Sequence, residues 1–481
     1  MDEHVDVLVI GGGPAGSTAA ALLARSGLRV RLLERDRFPR YHIGESLAPS
    51  SFAILELAGA REAVDAHGFL DKYGARFTWT KDEWVVSWGE SVGPEARSWQ
   101  VDRGEFDELL LRNAARQGVE VIEAATVRRV LFDHDRAVGA VWSSGGRTRT
   151  TGFTFLVDAS GRSGVLSAQL FHNRRRNPEF ENIAVWGYWT RARIPPGAPP
   201  GALNAVATPD GWWWAIPLAG DRLSLGHVTH RDVFRGRRPE FGSLGDYYLN
   251  RLAACEQVSW MVEPATLVSD IRAEQDYSYV ADRFCGPGYV LVGDAACFLD
   301  PLLSTGVHLA QYSALLAAAA IGSTLRGEVV EDEAGSFFEH AYRRAYCRLL
   351  VLTTRLYRSY DGQQNYFWQA QRLLDADRPD AAPLRDFAEI ITGRTDLREA
   401  QRLDHRLLTD TLIHEAESAQ DEARRHRAPG VPGVDFTPVR EIAPGPESAI
   451  DGLYVVTTPR IGLRRLAVDA PVPAGATAPP A

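Results

Sequence analysis

The chain has 481 residues, 45% of them apolar and 24% charged, with 62 acidic side chains against 53 basic ones and a net charge of −9. It is too long for one small core, and its composition is ordinary for a soluble globular protein. No Lys/Arg-rich stripe marks a nucleic-acid partner, and the most apolar helix candidate, Ala314–Ile321, is far too short to span a membrane. Cys255, Cys285, Cys297 and Cys347 show neither C-x-x-C nor metal-ligand spacing and read as scattered, buried thiols. With no signal-peptide pattern at the N-terminus, a cytoplasmic location and no metal are expected.

In chain order, the apolar run Val5–Ile10 ends in a glycine cluster, followed by a small-residue helix over Ala15–Ser26 and a strand over Arg29–Glu34. This is a strand–turn–helix–strand unit. A helix over Phe106–Gly118 and strands at Val119–Glu123, Thr154–Asp158 and Tyr289–Gly293 lead back to the same sheet. Between about 165 and 275 the texture changes to alternating segments, Ala184–Arg191, Trp212–Pro217 and Leu223–Val228, which predict an antiparallel sheet forming the floor of a substrate chamber. After 306 the chain reads as helical over Ser304–Leu325, Ser336–Tyr360, Gln363–Ala376, Pro383–Thr392 and Asp396–Arg424, with a Pro/Gly-rich stretch at Ala428–Gly433 before a short closing segment. The expected class is α/β. A Rossmann-like dinucleotide domain (1–165 with 276–335) carries an inserted β-sheet substrate domain (166–275), a helical C-terminal region (336–470) and a disordered tail (471–481).

Gly11, Gly13 and Gly16 spell G-x-G-x-x-G, with Ala15 in the same turn, directly after a strand and opening a helix. Such a turn lets backbone N–H groups approach a pyrophosphate at the helix N-terminus. Glu34 ends the second strand, where a carboxylate can bind a ribose hydroxyl pair. Further on, Asp158-Ala159-Ser160-Gly161 closes one strand, and Gly293-Asp294-Ala295-Ala296 closes another before a helix. At this point the chain resembles the flavin monooxygenases and their relatives over roughly Val5–Leu325. The resemblance implies FAD as the cofactor, with Asp294 beside the ribityl chain and Arg40, Gly44-Glu45-Ser46, Arg103, Pro301 and Val307 along the flavin.

Three features resemble the flavin-dependent halogenases in particular. Trp212-Trp213-Trp214-Ala215-Ile216-Pro217 matches that family's W-x-W-x-I-P. In a strand, Trp212, Trp214 and Ile216 share one face, where they can wall the flavin off from an organic substrate. Lys72, in Gly68-Phe69-Leu70-Asp71-Lys72-Tyr73-Gly74, sits where the family carries its essential lysine. Among 53 basic residues only Lys72 and Lys81 are lysine. An ammonium can hydrogen-bond hypochlorous acid and a neutral amine can be N-chlorinated, chemistry for which guanidinium is a poor substitute. Phe298-Leu299-Asp300-Pro301-Leu302-Leu303-Ser304-Thr305-Gly306 completes F-x-x-P-x-x-S-x-G, the loop that by resemblance holds a halide on the amides of Thr305 and Gly306 beside Ser304. Helix N-terminal amides are a ready anion site.

The resemblance implies an enzyme in which reduced FAD and dioxygen convert chloride to hypochlorous acid, which passes behind the tryptophans to Lys72 and then chlorinates an electron-rich ring. With no second nucleotide fingerprint, FADH2 is expected from a separate flavin reductase. The spacing, including Asp276-Tyr277-Ser278-Tyr279, resembles halogenases of phenols and pyrroles, many of which act on substrates tethered to a peptidyl or acyl carrier protein. A phenolic or tyrosine-derived ring is therefore the expectation, with tethering favoured. His227 and His308 are read as structural. The alternatives are an aromatic hydroxylase or reductase of the same fold, or a flavin-holding scaffold without chemistry.

Overall fold

The computed structural model describes residues 3–79, 82–91, 93–358, 391 and 450–466. Its first sheet grows outward from the glycine-bearing unit. Glu3–Ile10 pairs in parallel with Val30–Leu33 on one side and Arg147–Asp158 on the other, placing Val7 between Val30 and Phe155. Tyr289–Leu291 and Glu120–Ile122 extend the parallel array at its two flanks. These central strands are covered on both faces, which is why Val5–Ile10 is a near-continuous apolar run rather than an alternating one. Helices Pro14–Arg25 and Gly306–Leu325 pack against each other, and both are rich in buried alanines that allow close approach. An antiparallel meander, Ala125–Asp133 and Arg136–Ser144, joins the start of Arg147–Asp158.

The second sheet has nine strands. Its centre is Arg174–Thr190, Arg222–His230, Gly211–Leu218 and Leu203–Thr208, antiparallel neighbours in that order. The segments expected to be strands from their alternation fall on these elements. Two further strands arrive from far upstream. Gly74–Trp79 pairs in parallel with Leu203–Thr208 and antiparallel with Asp82–Ser87, so the sheet is not purely antiparallel. One face of this sheet, with Trp186, Trp212 and Trp214, joins the main core. The other face, with Val185, Trp189, Trp213 and Leu225, forms a second core with Tyr247, Tyr248 and Met261 from helices Leu244–Ala253 and Glu256–Val262.

Three local expectations are corrected. Gly293–Ala295 is a 3-10 turn, and a short strand and a loop separate it from the helix, which starts only at Gly306. Cys297 and Cys347 are buried, but Cys255 and Cys285 are only partly so. Leu453–Val456 and Gly462–Arg465 form a β-hairpin within the stretch expected to be helical, and it docks on the Gly306–Leu325 helix through the Leu463 N–H, which donates to Ser323 Oγ at 2.7 Å. The helix Glu331–Arg358 spans the expected Ser336–Tyr360 as far as residue 358, the last described residue there. Lys81, the tail and, apart from Ile391, the three predicted helices after residue 360 lie outside the described residues.

Candidate active site

A cavity of about 650 Å3 runs between the two sheets. Its nucleotide end is built by glycines. Gly11 has φ +100°, and a Cβ there would lie 2.3 Å from the Ala159 carbonyl oxygen; a Cβ at Gly16 would lie 1.9 Å from the Gly11 oxygen. Only glycine lets strand end, turn and helix approach this closely, leaving the N-terminus of Pro14–Arg25 open to a phosphate. Glu34 faces the same space and is held by the N–H groups of Gly12 (2.6 Å) and Asp36 (2.8 Å). Of the residues predicted to hold cofactor, Gly11, Gly13, Ala15, Glu34, Arg40, Ser46, Arg103, Asp294, Pro301 and Val307 all line the cavity, while Gly16 shapes the turn behind it. Burial raises the pKa of Asp294, opposed by Arg162, Arg103 and Arg174.

At the far end stands the tryptophan strand. Trp212, Trp214 and Ile216 point into the cavity, and Trp213 points away into the second core, 4.9 Å from the His227 ring. The Trp214 indole N–H donates to Ser224 Oγ at 3.2 Å, and Trp212 donates to the Tyr357 hydroxyl at 2.6 Å. Pro217 is half-buried at the end of the strand, opposite Leu223.

Lys72 does not line the cavity; it is 3% exposed and reaches the cavity-lining Ser46. Its Nζ donates to Ser46 Oγ at 2.8 Å and to the Leu47 carbonyl at 3.1 Å, and sits 5.4 Å from the Trp88 ring centroid. Loss of hydration lowers its pKa to about 7, so near neutrality the amine is divided between charged and neutral forms. The third predicted element borders the cavity through Ser304 and Gly306. Ser304 takes φ +55°, Thr305 is buried, and the helix starts at Gly306 with no acidic residue in its first turn. First-turn amides have no helix carbonyl to donate to, so this end of the cavity can hold an anion.

A family model for tryptophan halogenases matches residues 6–97 and 94–403. A tryptophan 2-halogenase of Chondromyces crocatus is 39% identical over all of this chain and 97% of its own length. Among solved structures, the myxobacterial chondrochloren halogenase CndH is 35% identical with a TM-score of 0.71, covering 86% of this chain and 97% of that one. The flavin-dependent brominase Bmp2 is 26% identical with a TM-score of 0.73, covering 87% and 100%. The chain belongs to the flavin-dependent halogenase family. This halogenase therefore uses FAD, with halide and dioxygen, on an aromatic substrate, and flavin-dependent halogenases generally take their reduced flavin from a separate reductase. The glycine cradle, the open helix N-terminus and the long cavity fit that cofactor.

The halogenase site also contains buried titratable groups to which the sequence assigned no acid–base role. Asp107, fully buried, accepts from Arg103 Nε (2.9 Å) and Nη2 (3.1 Å) and faces Arg40 at 3.5 Å, while Arg103 Nη1 donates to the Ile43 and Gly44 carbonyls. One buried acid thus fixes the loop that carries Ser46. An Arg at the first position of a helix followed four residues later by Asp was the available signal. Asp300 lines the cavity and accepts from Asn182 (2.9 Å), Tyr357 and the Leu302 amide, with burial raising its pKa to about 6. Glu45, also in the wall, has its pKa raised to about 7 by burial. His308 accounts for itself structurally through Ser50 Oγ at 2.8 Å and a stacked Tyr312.

Proposed function

We propose that this halogenase chlorinates an electron-rich hydroxylated ring, phenolic or tyrosine-derived, or a pyrrole, in natural-product biosynthesis. Reduced FAD and dioxygen, when bound, supply the oxidising power. The chain's own residues do the rest. The Thr305 and Gly306 amides beside Ser304 hold chloride; Trp212, Trp214 and Ile216 keep the ring and bulk water from the flavin; Lys72 receives the electrophilic chlorine and delivers it to the ring, which loses a proton in exchange.

The observation that carries this reading is the surroundings of Lys72. Leu70 opposes Gln100 and Lys72 opposes Ser98, so these four side chains share one face of a two-stranded ladder. On that face Ser98 Oγ and Gln100 Oε1 are buried without a hydrogen-bond partner, as is the indole N–H of the neighbouring Trp88. Orphaned polar atoms beside a neutralisable amine suit a bound hydroxyl, whether on hypochlorous acid or on the ring. The branch resemblance favours a carrier-tethered substrate. A second reading, a free indole, is favoured by the Chondromyces tryptophan 2-halogenase, and bromide in place of chloride by the brominase Bmp2.

The test begins without substrate. Anaerobically reduced FAD–protein is mixed with oxygenated buffer with and without chloride or bromide, while flavin absorbance and active halogen are followed. Halide-dependent reoxidation that releases trappable hypohalite is expected. Reoxidation blind to halide would return the site to the hydroxylase alternative. Phenol, pyrrole and tryptophan, each free and carrier-bound, then rank the substrate classes by product mass.

A further inference from the structure

Halide oxidation has a proton balance that the described site residues do not yet meet. With X the halide, FADH2 + O2 + X− + H+ gives FAD + H2O + HOX. One proton is drawn from solvent in each turnover, and subsequent halogenation of a ring by HOX returns none beyond the water it forms. A chain of hydrogen-bonding groups along the cavity wall offers that proton a route in from solvent.

The wall contains a directed chain of hydroxyls that ends on a carboxyl. Tyr41 stands at the cavity rim, 46% exposed, with the Arg272 guanidinium 3.8 Å from its ring centroid. The Trp186 indole N–H, which can only donate, gives its hydrogen to the Tyr41 oxygen at 2.8 Å. This leaves the Tyr41 hydrogen for the Tyr188 oxygen, 3.0 Å away. The Tyr188 hydroxyl in turn donates to Glu45 Oε1 at 2.6 Å. Every hydrogen therefore points inward. Glu45 itself is 2% exposed and lines the cavity, and its other oxygen, Oε2, is buried and makes no well-formed hydrogen bond.

We propose that Glu45, recharged from solvent through Tyr41 and Tyr188, delivers the proton consumed in halide oxidation. The step is balanced. Glu45 Oε2–H gives its proton to the oxygen that leaves as water; the Tyr188 hydrogen moves to Oε1 of the resulting carboxylate, the Tyr41 hydrogen moves to Tyr188, solvent restores Tyr41, and rotation of the carboxyl and the two hydroxyls resets the chain. The groups facing the carboxyl suit the role. Burial raises its pKa to about 7, and Asp102 acts in the same direction. Ser224, Tyr188 and Arg103 pull the other way, so the group both holds and releases a proton near neutrality. Burial also keeps both tyrosines in their neutral hydroxyl form by raising their pKa values. Ser224 also holds the Trp214 indole, which puts the end of the chain beside the tryptophan wall.

The inference rests on the halide-oxidising reading above, and its test uses the FAD-loaded full chain with two readouts. Infrared difference spectra follow the carbonyl band of a protonated buried carboxyl during a pH titration of the resting protein. Stopped-flow absorbance follows reoxidation in halide. The parent should show a band titrating near pH 7 and a reoxidation rate that falls above the same pH. Glu45→Gln should remove the band, erase that pH dependence and slow reoxidation below the midpoint about a hundredfold. Tyr188→Phe should keep the band, move its midpoint upward because a hydrogen bond favouring the carboxylate is gone, and slow later turnovers relative to the first. A Glu45→Gln protein that binds FAD and keeps the parent pH profile overturns the proposal. If Glu45→Gln does not fold, a Tyr188→Phe protein with the parent's ratio of later to first turnover rates overturns it. Halide-blind reoxidation in the parent overturns the halide-binding reading and the relay with it, whereas a halide response with an unchanged Glu45→Gln profile overturns the relay alone.

Discussion

Lys72 has two acceptors in reach, Ser46 Oγ and the Leu47 carbonyl. A neutral amine satisfies both with its two hydrogens and keeps a lone pair for an electrophilic halogen; an ammonium has no lone pair. With burial holding the pKa down to about 7, halogen transfer through the amine should be lost as pH falls through that value. The Glu45 relay should be lost as pH rises through about 7, so product formation is expected to be bell-shaped around neutrality. Lys72→Met should leave halide-dependent flavin reoxidation intact while product falls about a hundredfold or more, the scale on which one catalytic group acts. Lys72→Arg should not rescue it, because guanidinium stays charged. Product mass spectrometry beside stopped-flow absorbance separates the two steps, and rescue by arginine would mean that charge rather than the lone pair matters. The sequence singled out Lys72 by its match to the family's lysine and by the scarcity of lysine, and the structure buries it. The relay argued for Glu45 and the hydrogen-bonded setting of Asp300 were not legible, since their partners Tyr188, Asn182 and Tyr357 come from elements whose register no local pattern reveals.

The tryptophan strand shows how an element converts alternation into two environments. Trp212, Trp214 and Ile216 face the cavity, while Trp213 and Ala215 seal the second core, as a period of two requires. What alternation could not reveal is the neighbour that makes room for an indole. Trp214 stands opposite Gly226, and a Cβ there would lie 2.2 Å from the Trp214 ring. Gly226→Ala should therefore displace Trp214 and cost about 1–3 kcal/mol, the range for overpacking a filled core. Denaturant unfolding measures the cost. A trap for diffusible hypohalite measures the function, and leakage should rise relative to product if the indole is part of the wall. An unchanged leak with the expected destabilisation would confine Trp214 to a packing role. The halide loop behaves differently. Its F-x-x-P-x-x-S-x-G pattern ends where the Gly306–Leu325 helix opens on the cavity, yet the contact of Tyr357 with both Asp300 and Trp212 depends on where the helix Glu331–Arg358 ends.

At the scale of the whole molecule, two sheets enclose a cavity lined by buried titratable groups, and their cost to folding is itself measurable. The parallel sheet was legible because its strands are apolar runs around a glycine turn. The union of Gly74–Trp79 with Leu203–Thr208 was not, because partners more than a hundred residues apart leave no local trace. That union brings the ladder of Lys72 toward the sheet of Trp212 and places ionisable side chains away from water. Glu45 and Asp300 have folded-state pKa values of about 7 and about 6, against ordinary values of 4.5 and 3.8. Each therefore adds stability that is fully present below its ordinary value and lost as pH rises through its folded value. Lys72, lowered from 10.5 to about 7, has the opposite sense: its contribution is present above 10.5 and lost as pH falls through about 7. Surface ion pairs such as Glu123 with Arg112, whose carboxyl is held low, superimpose their own slope, so the prediction concerns differences between variants. In flavin-free protein, Glu45→Gln should flatten the loss of stability between about pH 4.5 and 7, and Lys72→Met should flatten the gain between about 7 and 10.5, each relative to the parent. Denaturant midpoints across that pH range provide the measurement. If both variants run parallel to the parent, these side chains are hydrated in the folded state, and the arguments from a perturbed amine and a perturbed carboxyl lose their footing.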